Sequence, residues 1–527
     1  MGIYLNPKND RFKIARNSDI YVDKSELIGI TNRRIRSEKR YLCVSRPRRF
    51  GKSLNLGMLA AYYSRGCESR VLFDDLMIAQ DESYLRHLNQ YNVIYINMQQ
   101  FLSMSKNVNE LIATLSESLM LDLEDDFSNV TLHSRLGLIY NLQRIYAKTG
   151  IPFVILIDEW DCVMREHRGN REALDSYLDF LRSWLKDQDY VALAYMTGIL
   201  PIKKYGTHSA LNMFREYSMI YSAELKKYIG FTTEEVKALC HAYNRNFDDM
   251  KAWYDGYDLE GTDLYCANSV IRSVEENTFR GFWTETETYE ALAVYIAMNF
   301  DGLKDTVEKL LAGQEQPVDT RTFSNDMVTF HNKDDILTLL IHLGYLGYHS
   351  DRRTVFIPNR EISDEFVVCM KATGLWKETI ETVLASRQLL TDTLNGRADK
   401  VAEGVEAAHR RNSSALNYNN EQSLRFVMLL AFFYARENYD IIQEMPGGDG
   451  FADIVFLPKP FVDPAAFPPL VVELKWNGKA QSAIAQIRQK HYPEALSGFG
   501  SALLVGINYD KDTRKHDCVI ERTELVR

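Results

Sequence analysis

The stretch "SRPRRFGKSL", residues 45–54, indicates the fold class of the N-terminal part of this chain. Gly51, Lys52 and Ser53 form the tail of the phosphate-loop pattern G-x-x-x-x-G-K-[ST], but Arg46 stands where that pattern has its first glycine. The stretch follows the strand-like run "YLCVS" and precedes the helical run "LNLGMLAAYYS", which is the order that a phosphate loop requires. The match is therefore either accidental or an altered phosphate loop.

The segment "FVILIDEWD", residues 153–161, favours the altered loop. Its apolar run predicts a buried strand that ends at Asp158 and Glu159, and the alternative is a buried strand followed by surface acids. In a nucleotide site Asp158 would reach Mg²⁺ and Glu159 would position an attacking water. Lys52 would then reach the β- and γ-phosphates, and Ser53 would coordinate the same Mg²⁺. The two segments together predict an ATP site with Mg²⁺ as cofactor.

Two further residues are candidates for the same site. Thr197, in "AYMTGILPIKKYG", could sense the γ-phosphate, although a threonine at a strand end is more often structural. Arg215, in "LNMFREYSM", could act as an arginine finger, and a surface ion pair is the alternative. The predicted nucleotide-binding residues are Arg46, Pro47, Arg48, Arg49, Phe50, Gly51, Lys52, Ser53, Leu54, Asp158, Thr197 and Arg215.

Length and composition limit the class of protein. A chain of 527 residues, 46% hydrophobic and 25% charged, is typical of a globular protein with two or more domains. The apolar segments are too short to span a bilayer and the N-terminus lacks a secretory pattern, so we expect a cytoplasmic protein without a membrane partner. The seven cysteines form no C-x-x-C pair and predict reduced thiols. Because the formal net charge is −10, any binding of DNA must come from local basic patches.

The order of apolar runs predicts an α/β fold. Strand-like and helical segments alternate up to about residue 225, which predicts a P-loop NTPase domain with a parallel sheet over 1–225. The chain then becomes mainly helical over 226–360, and the end of this part reads as one helix and two short strands, a pattern typical of a winged helix. A helical linker over 361–414 leads to a final α/β domain over 415–527.

Two strands near the C-terminus carry a second candidate site. "GGDGFADIVFLP" supplies Asp453, and "PLVVELKWN" supplies Glu473 and Lys475, which lie on one face of a strand because side chains alternate with period two. Asp453 and Glu473 could bind a divalent cation through oxygen, and Lys475 could orient water or stabilise developing negative charge. That combination suits hydrolysis of a phosphodiester, whereas an exposed edge strand is the alternative for an E-x-K pattern alone.

Five motifs, taken in order, resemble one protein family. "YVDKSELI", "RPRRFGKSL", "ILIDEWD", "TGILPIKKYG" and "WYDGY" resemble the bacterial AAA-ATPase-like family whose members carry a C-terminal PD-(D/E)XK nuclease domain. In that family an arginine-rich loop without the first glycine is the usual form, so the resemblance implies that the loop here is altered and functional. It also implies a bacterial origin and a role in phage defence or mobile elements.

The resemblance extends to the C-terminal residues. Asp453, Glu473 and Lys475 fall on the acid, acid and lysine positions of the PD-(D/E)XK core. Phe451 stands where related proteins commonly have arginine, which weakens the case for a phosphate contact at that position. The catalytic residues that we predict for the whole chain are Glu159, Asp453, Glu473, Lys475, Glu421 in the preceding helix and Gln486 in the following helix, with Tyr492 as a supporting polar group.

These observations predict an ATP-binding and ATP-hydrolysing protein with a Mg²⁺-dependent DNA nuclease domain. The alternative is a nucleotide-controlled switch whose C-terminal domain binds nucleic acid without cutting it. A scaffold with an inactive ATPase is disfavoured, because Lys52, Ser53, Asp158 and Glu159 are all present. Assembly into a homo-oligomer is left open.

Overall fold

The chain separates into two compact units. The computed structural model describes residues 2–167, 170–202, 211–283, 290–297, 300–323, 330–373, 376–412, 421–447, 449–460, 462–496 and 498–525. The first unit contains Met1–Trp283 and Pro317–Ile362, and the second contains Thr284–Gln316 and Ser363–Arg527. The first unit extends past the predicted P-loop boundary at 225. The four-domain division stays a prediction.

Both units contain strands and helices. The strands are β1 (Tyr41–Ser45), β2 (Asn92–Asn97), β3 (Phe153–Asp158), β4 (Val191–Gly198), β5 (Arg215–Tyr217), β6 (Phe231–Thr232), β7 (Tyr257–Asp258), β8 (Asp263–Tyr265), β9 (Gln316–Pro317), β10 (Gly347–His349), β11 (Thr354–Phe356), β12 (Tyr439–Gly447), β13 (Gly450–Pro458), β14 (Leu470–Trp476), β15 (Ser501–Asp510) and β16 (Lys515–Glu524). The α-helices are α1 (Asp10–Arg16), α2 (Glu26–Asn32), α3 (Lys52–Tyr63), α4 (Tyr84–His87), α5 (Met98–Met104), α6 (Val108–Asp126), α7 (Gly137–Thr149), α8 (Cys162–Glu166), α9 (Arg171–Leu185), α10 (Thr233–Ala242), α11 (Phe247–Tyr254), α12 (Ala267–Glu276), α13 (Glu290–Ala297), α14 (Leu303–Leu311), α15 (Lys333–Leu343), α16 (Arg360–Thr373), α17 (Lys377–Leu394), α18 (Ala398–Asn412), α19 (Glu421–Ala431) and α20 (Ala480–Gln489). None of the helices within the described ranges has the length and hydrophobicity of a membrane span.

A five-stranded parallel sheet forms the centre of the first unit. Its strand order is β2-β3-β4-β1-β5, so β4 lies between the strand that leads into the phosphate loop and the strand that ends in the acids. Every residue of β1, β3 and β4 is buried, because helices cover both faces of a parallel sheet and its strands are apolar throughout. The predicted parallel sheet of a P-loop fold is confirmed.

Amphipathic helices complete this core. Helix α9 buries Leu174, Leu178, Leu181 and Leu185, residues that recur at the three- and four-residue spacing of one helix face. These leucines pack in the same hydrophobic cluster as β3, and full burial of each contributes about 1.5–3 kcal/mol. This face of α9 therefore belongs to the core that contains β3.

The remainder of the first unit is mainly helical, as predicted. Thr232 and Glu235 form a capping box at the start of α10: the Thr232 hydroxyl accepts the Glu235 backbone N–H, and the Glu235 carboxylate accepts the Thr232 N–H. Helix α15 is followed by the antiparallel pair β10 and β11. The predicted helix and two strands are therefore present, and their identity as a winged helix stays a prediction.

The second unit contains a mixed five-stranded sheet in the order β12-β13-β14-β15-β16. All neighbouring strands are antiparallel except β14 and β15, which are parallel and are joined by the crossover helix α20. A parallel pair needs such a crossover, and here it places α20 against β14 and β15. The C-terminal part therefore has the α/β composition that the sequence predicts.

The N-terminal segment is held by one buried carboxylate. Asp122 in α6 accepts the backbone N–H groups of Ile3, Tyr4 and Leu5 at 3.1, 2.7 and 3.0 Å. Asp122→Ala should increase amide hydrogen exchange at these three residues by roughly 30-fold, which corresponds to about 2 kcal/mol of lost charge-assisted hydrogen bonding. Asp125→Ala, at an exposed position of the same helix, is the control and should leave this exchange unchanged.

Candidate functional site

The loop between β1 and α3 has the backbone shape of an anion-binding turn. Arg49 and Gly51 adopt left-handed conformations, with φ of 70° and 92°. A Cβ at Gly51 would meet no atom within 4 Å, so the glycine is favoured by its backbone conformation and not by lack of space. Gly51 is the N-cap of α3, and the first-turn residues Lys52, Ser53 and Leu54 present their backbone N–H groups at the loop.

Lys52 is buried inside this loop. Its Nζ donates to the backbone carbonyl oxygens of Arg46 and Pro47, at 2.9 and 2.7 Å. Burial lowers the pKa of Lys52, and the nearby carboxylates of Glu159 and Asp158 oppose that shift. The ammonium group thus lies between the loop backbone and the acids, where it would attract phosphate oxygens.

Asp158 joins three elements at the carboxyl edge of the sheet. The Asp158 carboxylate, at the end of β3, accepts the Ser53 hydroxyl at 2.6 Å and the Thr197 hydroxyl at 2.5 Å. The carboxyl ends of neighbouring parallel strands meet at one edge, which brings Thr197 of β4 and Asp158 of β3 together. Ser53 and Asp158 supply adjacent oxygen donors of the kind that Mg²⁺ prefers, so these two residues fit the metal and would hold it.

Glu159 follows Asp158 in a strained backbone conformation. Its φ is 53°, which is uncommon for a residue other than glycine and occurs often at functional sites. The Glu159 carboxylate forms an ion pair with the Arg165 guanidinium. Burial raises the pKa of Glu159, and the positive charges of Arg165 and Lys52 oppose this. Glu159 also lines a cavity beside the loop.

A cavity of about 500 Å³ opens beside the loop, a size suited to a small-molecule ligand. Eight of the predicted residues line it: Arg48, Arg49, Phe50, Gly51, Lys52, Ser53, Leu54 and Glu159. Further lining residues come from elsewhere in the first unit: Ile20, Tyr21, Val22, Lys24, Asn55, Tyr228, Gly230, Phe231, Ala267, Asn268 and Ile271. The cavity therefore combines the polar loop with an apolar wall.

Several predicted residues lie outside this lining. Arg46 is fully buried, and its guanidinium donates to the Ser45 carbonyl at 2.9 Å and the Ser222 hydroxyl at 2.8 Å. This placement leaves only the backbone of Arg46 for the predicted nucleotide contact. Arg215 on β5 pairs with Glu224 at 3.8 Å, which agrees with the ion-pair alternative. The other three predicted residues do not line the cavity but make hydrogen bonds next to it. The Pro47 carbonyl accepts the Lys52 ammonium, and Asp158 accepts the hydroxyls of Ser53 and Thr197.

The predicted C-terminal residues are also brought together. Asp453 lies on β13, Glu473 and Lys475 lie on β14, and Gln486 lies on α20. The Lys475 Nζ donates to Glu473 Oε1 at 3.1 Å and to Gln486 Oε1 at 2.7 Å, and Gln486 Nε2 also donates to Glu473. Asp453 Oδ2 accepts the Leu474 backbone N–H at 2.8 Å. We refer to Asp453, Glu473, Lys475 and Gln486 as the C-terminal cluster.

The C-terminal cluster has an incompletely satisfied carboxylate. Glu473 Oε2 is buried and has no hydrogen-bond partner, and burial together with the charge of Asp453 raises the pKa of Glu473 to about 7. A divalent cation between Asp453 and Glu473 would satisfy that oxygen, so the residues fit the predicted metal. Within the described ranges no group of three or more His, Cys, Asp or Glu is placed to hold a metal, so such a cation would need water or substrate oxygens as well.

The remaining predictions near the C-terminal cluster have different outcomes. Glu421 is the first residue of α19, but its side chain lies outside the described part of the chain. Tyr492 has its pKa raised by burial, and the side chain of Gln486 and the charges of the cluster also act on it. Phe451 is 65% exposed. The assignment of Glu421 as catalytic stays a prediction.

Residues 9–207 match the model of a known family, described as predicted AAA-ATPase. The chain carries an AAA-ATPase-like domain over these residues. The match contains the loop, Lys52, Ser53, Asp158, Glu159 and Thr197. It ends before Arg215 and does not reach the C-terminal cluster.

A curated relative and three solved structures are also similar to this chain. The uncharacterized protein in the vnfD 5′ region of Azotobacter chroococcum mcd 1 is 27% identical over 288 residues, and the alignment spans about half of each protein, 52%. The Walker-type ATPase paby2304 of Pyrococcus abyssi is 13% identical, with a TM-score of 0.36 over 67% of this chain and 97% of that chain. The replication initiator DnaA bound to AMPPCP and single-stranded DNA is 10% identical, with a TM-score of 0.26 over 68% and 90%. The Aeropyrum pernix ORC1 protein in complex with DNA is 12% identical, with a TM-score of 0.24 over 88% and 95%. Because these TM-scores are below 0.5, the three likenesses support no functional conclusion.

Two residues next to the predicted nucleotide site, Asp161 and Arg165, were not predicted from the sequence. Asp161 is fully buried, and its Oδ2 accepts the backbone N–H groups of Ile199 and Leu200 at 3.1 and 2.8 Å, which fixes the chain after β4. Arg165 pairs with Glu159 and lies 3.4 Å from Asp161. The second aspartate of "DEWD" was a signal for Asp161, but Arg165 carries no comparable sequence signal.

Arg425 in α19 is a further residue near the C-terminal cluster that was not predicted from the sequence. Its guanidinium donates to Asp453 Oδ1 at 2.8 Å, which adds a second cation next to the C-terminal cluster. The local sequence around Arg425 gives no indication of this partner, because the contact joins residues 28 positions apart.

Arg46 and Arg48 should behave differently when replaced. Arg46→Met should lower the free energy of unfolding of the first unit by about 2–3 kcal/mol, because buried acceptors lose a charged donor. Arg48→Gln should weaken ATP binding by about tenfold with an unchanged melting temperature, because Arg48 lines the cavity. Scanning calorimetry and titration with a fluorescent ATP analogue measure the two effects. A stable Arg46→Met protein with weakened ATP binding would contradict the buried structural role.

Proposed function

We propose that this protein is an ATP-hydrolysing P-loop protein whose C-terminal domain is a Mg²⁺-dependent DNA nuclease. The assembly of Lys52, Ser53, Asp158 and Glu159 at the carboxyl edge of one parallel sheet carries the first half of the proposal. The family match over residues 9–207 also supports an ATPase. The nuclease half is supported by the contacts of the C-terminal cluster.

In the ATPase, each residue has a separate task. Lys52 can exchange its two carbonyl contacts for β- and γ-phosphate oxygens, which offer a stronger, charge-assisted interaction. Ser53 and Asp158 would hold Mg²⁺, which neutralises phosphate charge when bound. Glu159 is suited to orient the attacking water, provided that its carboxylate is released from Arg165 or shares that guanidinium. Thr197 keeps Asp158 oriented through its hydroxyl.

In the nuclease, Asp453 and Glu473 would hold the divalent cation, which supplies an activated water and stabilises phosphate charge when bound. Lys475 is held beside Glu473 by Gln486, so its ammonium group can donate to the attacking water or to the phosphate. The substrate we propose is DNA, because a phosphodiester is the anion that this combination of acids and lysine suits. Roles in phage defence or mobile elements, and assembly into homo-oligomers, stay predictions.

A regulatory switch that binds DNA without cutting it is the second candidate. It is favoured by one observation: Lys475 and Gln486 already bond to each other and to Glu473 Oε1, and Asp453 already has two donors. A site closed in this way could bind a phosphate without turning over. Cleavage assays separate the two candidates.

Lys52→Ala should abolish ATP hydrolysis, because the charge on the β- and γ-phosphates is lost. Glu159→Gln should retain ATP binding and slow turnover by about 100-fold or more, because only the orientation of the water is affected. Phosphate release and equilibrium nucleotide binding measure these effects, with Lys39→Ala as an exposed lysine control. Hydrolysis by Glu159→Gln at the parent rate would remove Glu159 from its proposed task.

Asp453→Ala and Lys475→Ala should each abolish Mg²⁺-dependent nicking of plasmid DNA while ATP hydrolysis continues, because separate residues serve the two reactions. Plasmid nicking and ATPase rates are measured on the same preparations. Asp440→Ala, an exposed aspartate on β12, is the matched control and should cleave normally. Cleavage that persists in both cluster variants would rule out the C-terminal cluster as its source, and a parent protein that binds DNA without nicking it would support the switch.

A further inference from the structure

Arg425 occupies the centre of a charge network beside the C-terminal cluster. Its side chain is 18% exposed and bridges two carboxylates: one terminal nitrogen donates to Asp453 Oδ1 at 2.8 Å and the other to Glu444 Oε1 at 2.7 Å. Its Nε is buried and has no hydrogen-bond partner. The guanidinium therefore has donor capacity that the protein itself does not use.

Glu444 on β12 lies opposite Asp453 on β13. The register pairs Gln443 with Ile454 and Met445 with Ala452 without a shift, so Glu444 and Asp453 face each other across the two strands. Glu444 has a φ of 51°, a left-handed conformation that is uncommon for a residue other than glycine. Arg425 forms ion pairs with both of these carboxylates.

The charges around Asp453 explain why an arginine is needed there. Lys475 is engaged with Glu473 and Gln486, and Phe451 on β13 contributes no charge. The carboxylates of Asp453 and Glu444 would repel one another without the Arg425 cation that pairs with both of them. Arg425 supplies that cation for Asp453 when no metal is bound.

We propose that Arg425 is a phosphate-contacting residue of the C-terminal site: it neutralises Asp453 before the metal binds and donates to a DNA phosphate once the metal takes Asp453. This inference rests on the proposed nuclease site. A guanidinium offers a planar pair of donors that matches a phosphate, and it remains charged throughout. Glu444 would keep the side chain in place during the exchange. Arg425 would thus supply the phosphate contact that Phe451 cannot make.

The test uses the full-length protein with Arg425→Gln, Arg425→Lys and the control Arg397→Gln, which changes a surface arginine paired with Asp392. Mn²⁺ binding is followed by electron paramagnetic resonance of free Mn²⁺. Binding of a short fluorescent DNA duplex is measured by anisotropy in Ca²⁺ over a series of salt concentrations. Melting temperatures of all variants are compared.

We expect opposite effects on the two ligands. Arg425→Gln should bind Mn²⁺ about fivefold more tightly, because a competing positive charge is removed, and should bind DNA about tenfold more weakly. The slope of log affinity against log salt should fall by about one for DNA. Arg425→Lys should recover part of the DNA affinity, and Arg397→Gln should match the parent in both assays.

Unchanged DNA affinity and salt slope in Arg425→Gln would overturn the proposal. Weaker binding of both Mn²⁺ and DNA with a lower melting temperature would also overturn it, because that result indicates a structural role alone. The nuclease proposal fails separately: if Asp453→Ala binds Mn²⁺ like the parent, the metal site is wrong, and if the expected Arg425 effects occur without any cleavage, only the nuclease activity is wrong.

Discussion

The AAA-ATPase-like domain depends on one buried carboxylate, Asp158, and the two hydroxyls that it accepts. Ser53 belongs to the first turn after the loop, and Thr197 belongs to the strand between the loop strand and the acidic strand. A buried carboxylate without such donors would be costly, so the three elements must keep their relative positions for the charge to be tolerated. The same geometry places Ser53 and Asp158 where the proposed Mg²⁺ would need its oxygen ligands.

The groups around the loop are held by contacts that a ligand could replace. Lys52 is satisfied by carbonyl oxygens, and Glu159 is satisfied by Arg165. Each contact lowers the cost of a buried charge, and the two carbonyl contacts of Lys52 are the ones that phosphate oxygens would replace in the proposed ATP site. Asp161 differs from these groups, because its backbone contacts fix the chain after β4 and do not depend on a ligand.

The carboxylates of the C-terminal cluster are stabilised by different groups. Glu473 accepts hydrogen bonds from the Lys475 ammonium and the Gln486 amide, and Asp453 accepts one from the Arg425 guanidinium. One oxygen, Glu473 Oε2, is left without a partner and marks the place where compensation is incomplete. In both sites the acids are held by donors that belong to the protein itself, and the proposed ligands would compete with those donors.

Local sequence patterns specify the secondary-structure elements and the residue types of both sites. Apolar runs, the Gly51-Lys52-Ser53 tail and the period of Glu473 and Lys475 are local patterns, so the parallel sheet, the loop and the shared strand face could be predicted from them. The orientation of long side chains depends on partners that are distant in sequence, so it could not be predicted from local patterns. Arg46 is buried, and its guanidinium donates a hydrogen bond to the Ser222 hydroxyl. Arg215 pairs with Glu224, and Arg425 on α19 donates to Asp453 on β13. A buried charge takes the partner that the fold places beside it, and local sequence does not specify that partner.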